Sequence, residues 1–426
     1  MTNNQLVYIE TFGCSANQNN SEIIAGLLTQ SGYQITNNKD IADTVILNTC
    51  VVKNTTENKI KRKIQDLSKE DKLTIVTGCM PDSDSKSITK LNPRALQLSS
   101  HNIKSVVQLI SHQSLPIINN QAHEEKILLP KIPLNKLVSI TQILEGCLSS
   151  CTFCKTKLAK GNVFSYPQDK IIKSIESDLK NGAKEVWLTS QGNACYGMDR
   201  GKQELPELVK KILQLPFRFK LRVGMMNPHH LYPILDDMIE VYKDKKVYKF
   251  LHLPIQSASN KVLKSMRRPY KIEKVEEMIK KFKGNFSDMI ISTDIIVGYP
   301  TENEEDHQMN VDFLKRHRLS VTNLSKFSKH KGTSAENLEE LPISILNQRN
   351  KELMNLLRQI AFENKEKYLG KTIKVFVNKK INSIYEGRDE NYNIILMSSE
   401  NSILGKNVDV NINKRGVFHL LGKIVN

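Results

Sequence analysis

Three cysteines fall close together in this chain: Cys147, Cys151 and Cys154, in the run Glu-Gly-Cys-Leu-Ser-Ser-Cys-Thr-Phe-Cys that follows an apolar, strand-like stretch. Iron-sulfur clusters ordinarily take four thiolates, so a C-x3-C-x2-C trio leaves one iron open to a ligand that is not protein. A small-molecule cofactor is the natural occupant of such a position. The same spacing also suits a zinc knuckle completed by a distant residue, or a group of buried thiols.

Three more cysteines end strand-like runs near the amino terminus. Val-Tyr-Ile-Glu-Thr-Phe-Gly-Cys14, Thr-Val-Ile-Leu-Asn-Thr-Cys50 and Leu-Thr-Ile-Val-Thr-Gly-Cys79 each place a thiol at a carboxyl end. The strand-like runs (6–12, 44–48, 73–77) alternate with helical patterns (21–31, 54–69, 85–91), which predicts βαβ units and a parallel sheet. The carboxyl ends of parallel strands share one edge where ligands bind, so thiols distant in sequence can converge there. Three unrelated small buried residues are the plainer alternative. The odd thiol, Cys195, reads as a small structural residue.

The elements that must position these groups follow in three parts, an α/β multidomain chain. Residues 1–112 form the parallel-sheet domain, and a polar, proline-containing stretch over 113–133 reads as a linker. Over 134–366, six strand-like runs (137–144, 185–189, 220–225, 249–254, 289–297, 321–327) separated by helical patterns predict a partial (β/α)6 barrel. Chemistry in such barrels sits at the carboxyl ends of strands, and the first cysteine trio follows the first strand. A long polar helix, 342–368, leads into residues 367–426, where short β runs punctuated by turn residues predict a small antiparallel β-barrel, a design common in oligonucleotide binding.

Composition narrows the partners. A chain of 426 residues, 39% hydrophobic and 25% charged, is that of a folded multidomain protein, and its formal charge of +17 favours an anionic partner, nucleic acid ahead of membrane. The amino terminus lacks a basic region followed by an apolar helix, and no apolar run reaches the length of a bilayer span. The expectation is a cytoplasmic protein without a membrane partner. Seven cysteines, an odd number, argue for reduced thiols over a disulfide framework. No Ser/His/Asp or paired-carboxylate constellation is evident.

Taken together, these motifs resemble the radical S-adenosylmethionine (SAM) methylthiotransferases of the MiaB-like family, and within them the archaeal and eukaryotic branch that modifies threonylcarbamoyladenosine in tRNA. The resemblance spans essentially the whole chain. It is carried by Thr11-Phe12-Gly13-Cys14 with Asn17, Asn48-Thr49-Cys50, Thr77-Gly78-Cys79, the Cys147/Cys151/Cys154 loop, Arg222-Val-Gly-Met-Met-Asn-Pro228, His252-Leu-Pro-Ile-Gln256-Ser257 and Thr293-Asp294-Ile-Ile-Val-Gly298-Tyr-Pro300. It implies two 4Fe-4S clusters, an auxiliary one on Cys14, Cys50 and Cys79 and a radical SAM one on Cys147, Cys151 and Cys154, with a TRAM RNA-binding domain at the carboxyl end.

The implied reaction takes place on the anticodon loop of tRNA, at adenosine 37. SAM chelated at the open iron is cleaved by an electron, the resulting radical abstracts hydrogen from C2 of the base, sulfur from the auxiliary cluster replaces it, and a second SAM supplies the methyl group. An aromatic C–H has no useful acidity, so a cofactor must do this chemistry. An electron donor such as flavodoxin or ferredoxin and a sulfur source are implied partners. Gln191, Arg222, Gln256 and Asp294, at or within barrel strands, are the expected SAM contacts, Arg222 as a fork donor to a carboxylate. Arg267, Arg268, Lys157 and Lys160 are candidate contacts to tRNA phosphates. His252 reads as structural.

The chain departs from the family pattern in places. Gly192 stands where relatives usually carry Asp, Ala258 replaces a common Gly, and His330 takes the place of an Arg between Lys329 and Lys331. No apolar anchor like that of eukaryotic relatives follows the last strand, an expectation against membrane tethering. Two competing readings stay open: the same chemistry on isopentenyladenosine or on a ribosomal-protein aspartate, and a non-enzymatic zinc protein that binds RNA. The stretch 222–228 leans toward the threonylcarbamoyl branch.

Overall fold

The computed structural model describes residues 5–112 and 123–425. Residues 113–122, the first part of the expected linker, lie outside the described residues, as do the first four.

Strands β1 (Leu6–Thr11), β2 (Gln34–Thr36), β3 (Thr44–Thr49), β4 (Leu73–Gly78) and β5 (Leu96–Ser99) form a parallel sheet of order β2-β1-β3-β4-β5. All six residues of β3 are buried, as befits a central strand covered on both faces. Its alternate side chains divide between two cores. Val45 and Leu47 pack with Ile60 and Ile64 on one face, and Ile46 packs with Ile24 and Leu28 on the other. These belong to helices α1 (Ser15–Gln30) and α2 (Asn54–Leu67), and α3 (Cys79–Leu91) and α4 (Val106–His112) complete the two layers. In α2 the buried Ile60, Ile64 and Leu67 recur at helical spacing.

Residues 123–133 are not a free spacer. Ile132 N donates to Glu22 O at 2.9 Å, and Lys126, 2% exposed, donates to Ser100 O at 2.9 Å. The middle part begins with β6 (Val138–Gln142) and β7 (Leu144–Glu145), then α5 (Lys155–Lys160), β8 (Phe164–Ser165), α6 (Gln168–Lys180), β9 (Glu185–Thr189), α7 (Leu205–Leu213) and β10 (Lys220–Val223). It continues through α8 (Pro228–Leu231), α9 (Leu235–Lys243), β11 (Phe250–His252), α10 (Asn260–Ser265), α11 (Ile272–Asn285), β12 (Ile290–Val297), α12 (Glu304–His317) and β13 (Val321–Lys326). Two three-stranded parallel sheets, β10-β9-β6 and β11-β12-β13, meet at a bridge between Leu221 and Val247, giving six strands in sequential order around an open barrel.

Helix α13 (Ile343–Glu363) leads to a closed five-stranded barrel of β14 (Thr372–Ile381), β15 (Ile384–Arg388), β16 (Ile394–Ser398), β17 (Asn407–Arg415) and β18 (Leu420–Val425). Its neighbours pair antiparallel except β16 and β18, which close it in parallel. It docks at the amino ends of the larger barrel's strands. Asn378 Nδ2 donates to Glu185 Oε1 at 3.1 Å, and Lys249 N donates to Glu390 O at 2.8 Å. The carboxyl ends stay turned toward the amino-terminal domain. No helix among the described residues is long and apolar enough to cross a membrane.

Candidate metal centres and cofactor site

Strands β1, β3 and β4 are neighbours, and the register aligns Thr11 with Asn48 and Thr49 with Gly78, so the residues that follow leave one edge side by side. Cys14 is the N-cap of α1 and Cys79 the first residue of α3. A buried network ties the three strand ends together. Asn17 Nδ2 donates to Phe12 O (2.9 Å) and Thr49 O (2.8 Å), Asn48 Nδ2 donates to Asn17 O (2.8 Å), and Thr49 Oγ1 donates to Thr77 O (2.6 Å). A Cβ on Gly13, whose φ is +99°, would lie 2.7 Å from Cys50 Sγ, so glycine keeps open the space beside that thiol.

Cys14 is exposed, while Cys50 and Cys79 are buried. Burial pushes the Cys79 thiol up to about 12, with Lys160 pulling against it and Cys14 and Cys50 adding to it; burial also raises Cys50, reinforced by Cys14. The three sulfurs therefore feel one another's charge. A thiol so disfavoured as an anion ionises here only when a cation joins it. One cation is already present: Lys160, 0% exposed, whose Nζ has no hydrogen-bond partner among the described residues. Burial opposes its charge, yet Cys79, Glu145 and Cys14 hold its pKa above the ordinary lysine range. An orphaned ammonium beside three thiols fits an anionic cluster on those thiols. Lys160 thus cannot be a phosphate contact, and neither can Arg268, at 7% exposed. Both fill tertiary roles that a basic stretch of sequence does not display.

The second trio occupies the loop between β7 and α5. Lys157 Nζ donates to Gly161 O (3.1 Å) and also to Cys147 O, clamping the loop instead of facing solvent. Thr152 N donates to Met266 O (3.2 Å), Ala335 N donates to Thr152 O (2.9 Å), and Thr152 Oγ1 meets Tyr299 Oη at 2.8 Å. Arg268 Nη1 donates to Cys151 Sγ at 3.5 Å, and its Nη2 donates to Pro254 O at 2.6 Å. Burial raises Cys154, with Cys151 and Cys147 adding to the shift. Of the four basic residues expected near the mouth, Arg267 alone is exposed.

Gly146, between the buried Glu145 and Cys147, has φ +76°, and a Cβ there would lie 1.8 Å from Asn162 O. Gly146→Ala is expected to destabilise the fold by more than about 2 kcal/mol through left-handed strain and overlap with backbone. Thermal unfolding checks this, and an unchanged Tm would contradict it.

Helix α5 joins the two trios. Lys155, next to Cys154, is buried against Glu57 Oε1 of α2 at 3.0 Å, and Ala159 belongs to the amino-terminal core. Six residues of helix rise about 9 Å, so Cys154 and Lys160 mark opposite ends of a short rod that is buried at both ends. His330 Nδ1 stands 3.9 Å from Glu57 Oε2, and burial lowers its pKa, so the position expected to carry Arg holds a neutral ring.

The expected SAM contacts are spread more widely. Gln191, just past β9, has a buried Oε1 without a partner among the described residues. Gln256 has φ +70° and bridges to Ile295, its N–H donating to Asp294 O at 2.8 Å. Asp294 accepts from His252 Nε2 (2.8 Å) and Asn323 Nδ2 (2.9 Å); burial raises its carboxyl, but His252, Asn323 and Lys53 outweigh that and hold it below the usual range. Arg222 lies deeper than a strand-end residue. Its guanidinium sits 5.5, 5.3 and 5.4 Å from the Trp187, Phe250 and Tyr392 rings, the last from the carboxyl-terminal barrel, and its Nε is buried without a partner among the described residues. Cys195 packs in the barrel core with Sγ 2.9 Å from His230 Nδ1, as befits a structural thiol.

Residues 6–99 match the family model described as Uncharacterized protein family UPF0004, and residues 141–314 match the Radical SAM superfamily. A probable threonylcarbamoyladenosine tRNA methylthiotransferase of Pyrococcus horikoshii is 37% identical over 98% of this chain and 99% of its own length. The chain belongs to the threonylcarbamoyladenosine tRNA methylthiotransferase family. The human member is 31% identical over 99% of this chain and 74% of its own length. Among solved structures, the radical SAM methyltransferase TsrM from Kitasatospora setae shares the fold at a TM-score of 0.57 and 11% identity, over 78% of this chain and 77% of that one. Cobalamin-dependent OxsB does so at 0.53 and 11%, over 83% and 56%. Membership in this methylthiotransferase family makes the chain a radical SAM enzyme of the sulfur-group transferase kind, one that uses SAM and 4Fe-4S clusters.

Proposed function

We propose that this enzyme converts N6-threonylcarbamoyladenosine at position 37 of tRNA to its 2-methylthio derivative, with Cys147, Cys151 and Cys154 holding the radical SAM cluster and Cys14, Cys50 and Cys79 the auxiliary one. The observation that carries this reading is that six cysteines from two domains gather at the two ends of one short helix, α5, whose end residues Lys155 and Lys160 are buried. On this reading residues 1–112, 134–366 and 367–426 are the methylthiotransferase, radical SAM and TRAM domains.

When bound, the clusters and SAM supply one-electron chemistry and a transferable sulfur, which protein side chains lack. The chain's own residues position and shield. The Thr152–Tyr299 contact and the Lys157 clamp hold the cysteine loop, Arg268 places a positive charge on Cys151, and Gln191, with its unpartnered Oε1, offers a polar contact to SAM. Gln256, Asp294 and Arg222 are the other proposed SAM contacts, Arg222 from deeper in the barrel among Trp187, Phe250 and Tyr392. Zinc held by sulfur sits at about 2.3 Å, which needs thiols within about 4 Å of one another. Neither cysteine trio is among the described groups whose ligand atoms all lie within 4.8 Å, which favours polynuclear clusters over a zinc knuckle.

For the RNA, the chain offers a cleft of about 470 Å³ beside α2, α3 and the 329–331 segment, lined by Lys86, Lys90, Lys329 and Lys331, all exposed, while Lys61 and Lys155 are occupied by Glu57. Charge reversal is unnecessary to test it. Replacing those four lysines with glutamine is expected to flatten the dependence of log affinity for tRNA on log salt by about 3 and to weaken binding at low salt. An unchanged slope would place the phosphates elsewhere.

The direct test incubates the anaerobically reconstituted enzyme with SAM, a flavodoxin- or ferredoxin-type donor or dithionite, sulfide as sulfur source, and anticodon stem-loops carrying either threonylcarbamoyladenosine or isopentenyladenosine. Methylthiolation of the first alone is expected. Turnover of the second alone would reassign the substrate.

A further inference from the structure

We propose that His101, His123 and Glu145 form a third metal site, separate from both cysteine trios, that binds a divalent transition ion of the zinc type and clasps the two domains together. Among the described residues this is the one trio of His, Cys, Asp or Glu whose ligand atoms all lie within 4.8 Å of one another. His101 Nδ1 and His123 Nδ1 face each other at 3.1 Å, and Glu145 Oε2 lies 3.9 and 3.8 Å from them.

The outer partners favour one tautomer for both rings. His101 Nε2 is 3.0 Å from Ala159 O and His123 Nε2 is 2.9 Å from Asn162 O. A carbonyl oxygen only accepts, so each Nε2 carries the hydrogen and each neutral ring turns a Nδ1 lone pair inward. Two lone pairs this close repel unless a cation lies between them.

The geometry suits a metal. Zinc–nitrogen bonds of about 2.0–2.1 Å at a tetrahedral angle put two nitrogens about 3.3 Å apart. An imidazole whose outer N–H rests on a backbone carbonyl is also the usual setting of a metal-bound histidine. Glu145 is 0% exposed; Lys126 takes its Oε1 at 2.6 Å and Tyr166 Oη donates to the same atom, while among the described residues Oε2 has no hydrogen-bond partner. The carboxylate is thus half-satisfied by protein and half-free for an ion. Lys160 and Lys126 add positive charge nearby and Asp82 negative charge. The three ligands come from the end of β5, from the segment entering the barrel, and from the residue two before Cys147. An ion there fixes the amino-terminal sheet against the cysteine loop.

The test measures iron and zinc together on anaerobically reconstituted, gel-filtered protein titrated with Zn(II) alone. The wild type is expected to take up about one zinc per chain beside its full iron complement, with only nitrogen and oxygen in the zinc X-ray absorption first shell. His101→Gln and His123→Gln are expected to lose most of that zinc and keep their iron, whereas alanine at either cysteine trio loses iron and keeps the zinc. No uptake by the iron-loaded wild type, or a sulfur-containing shell, would overturn the proposal. Because that reading needs no variant, it decides the question even if the histidine variants fail to fold.

Discussion

Replacing Cys14, Cys50 and Cys79 together with alanine is expected to remove about half of the protein's iron and abolish methylthiolation, while reductive cleavage of SAM continues. Replacing Cys147, Cys151 and Cys154 is expected to remove the other half and abolish both activities. The asymmetry follows from placement. The second trio sits in a loop fixed by the barrel's own contacts, with Thr152 on Met266 and Tyr299 and Arg268 on Cys151. Among the described residues no hydrogen bond joins that loop to the amino-terminal thiols; α5 ties it to that domain through Lys155 on Glu57 and Ala159 in the amino-terminal core. Iron and sulfide quantification with chromatography of the SAM cleavage products reads both variants. Loss of SAM cleavage in the first variant with its iron half retained would mean that the two centres are not separable in function.

Lys160→Met is expected to lower the reduction potential of the auxiliary cluster by about 100 mV and leave the radical SAM cluster nearly unmoved. A unit charge a few ångströms away at an effective dielectric constant of about 20 is worth about 2–3 kcal/mol, and removing it disfavours the more negative, reduced state. Lys160 is the right residue to ask, because its fully buried Nζ has no hydrogen-bond partner among the described residues and its charge is sustained by Cys79, Glu145 and Cys14. A redox titration followed by electron paramagnetic resonance separates the two clusters. Lys160→Arg, which keeps the charge, should restore the potential; a Met variant with the wild-type potential would show that the ammonium serves folding alone.

What the chain declared openly was backbone periodicity ending in reactive side chains. The β-branched runs before Cys14, Cys50 and Cys79 became adjacent parallel strands, and the six later runs became the open barrel. Helix α1, however, begins at Ser15, six residues before the apolar pattern does. Its first turns bury Asn17, Asn19, Asn20, Ser21 and Glu22, with Asn17 and Ser21 hydrogen-bonded to the strand ends, and hydrophobic spacing cannot register that. Similarly α3 starts at Cys79 and runs through a non-helical Asp84, where the expectation began at 85. The short β2 and β5 carry too few residues to show a period.

The site was legible in its thiols and much less so in its surroundings. Lys160 and Arg268 look, in sequence, like any basic residue near a nucleic-acid enzyme's mouth; only packing reveals that both are buried against sulfur. Arg222 follows the same lesson, since Tyr392 reaches it from a domain 170 residues further along. His101, His123 and Glu145 share no spacing, being brought together by three separate elements.

The measurement that bears most directly on the central claim is nucleoside mass spectrometry of tRNA from a strain lacking this gene, complemented with the wild type or with the Cys14/Cys50/Cys79 alanine variant. The account predicts that 2-methylthio-threonylcarbamoyladenosine disappears on deletion, leaving its unthiolated precursor, and returns with the wild type but not with the variant. An undiminished methylthio peak in the deletion strain, or its return with the variant, would contradict it.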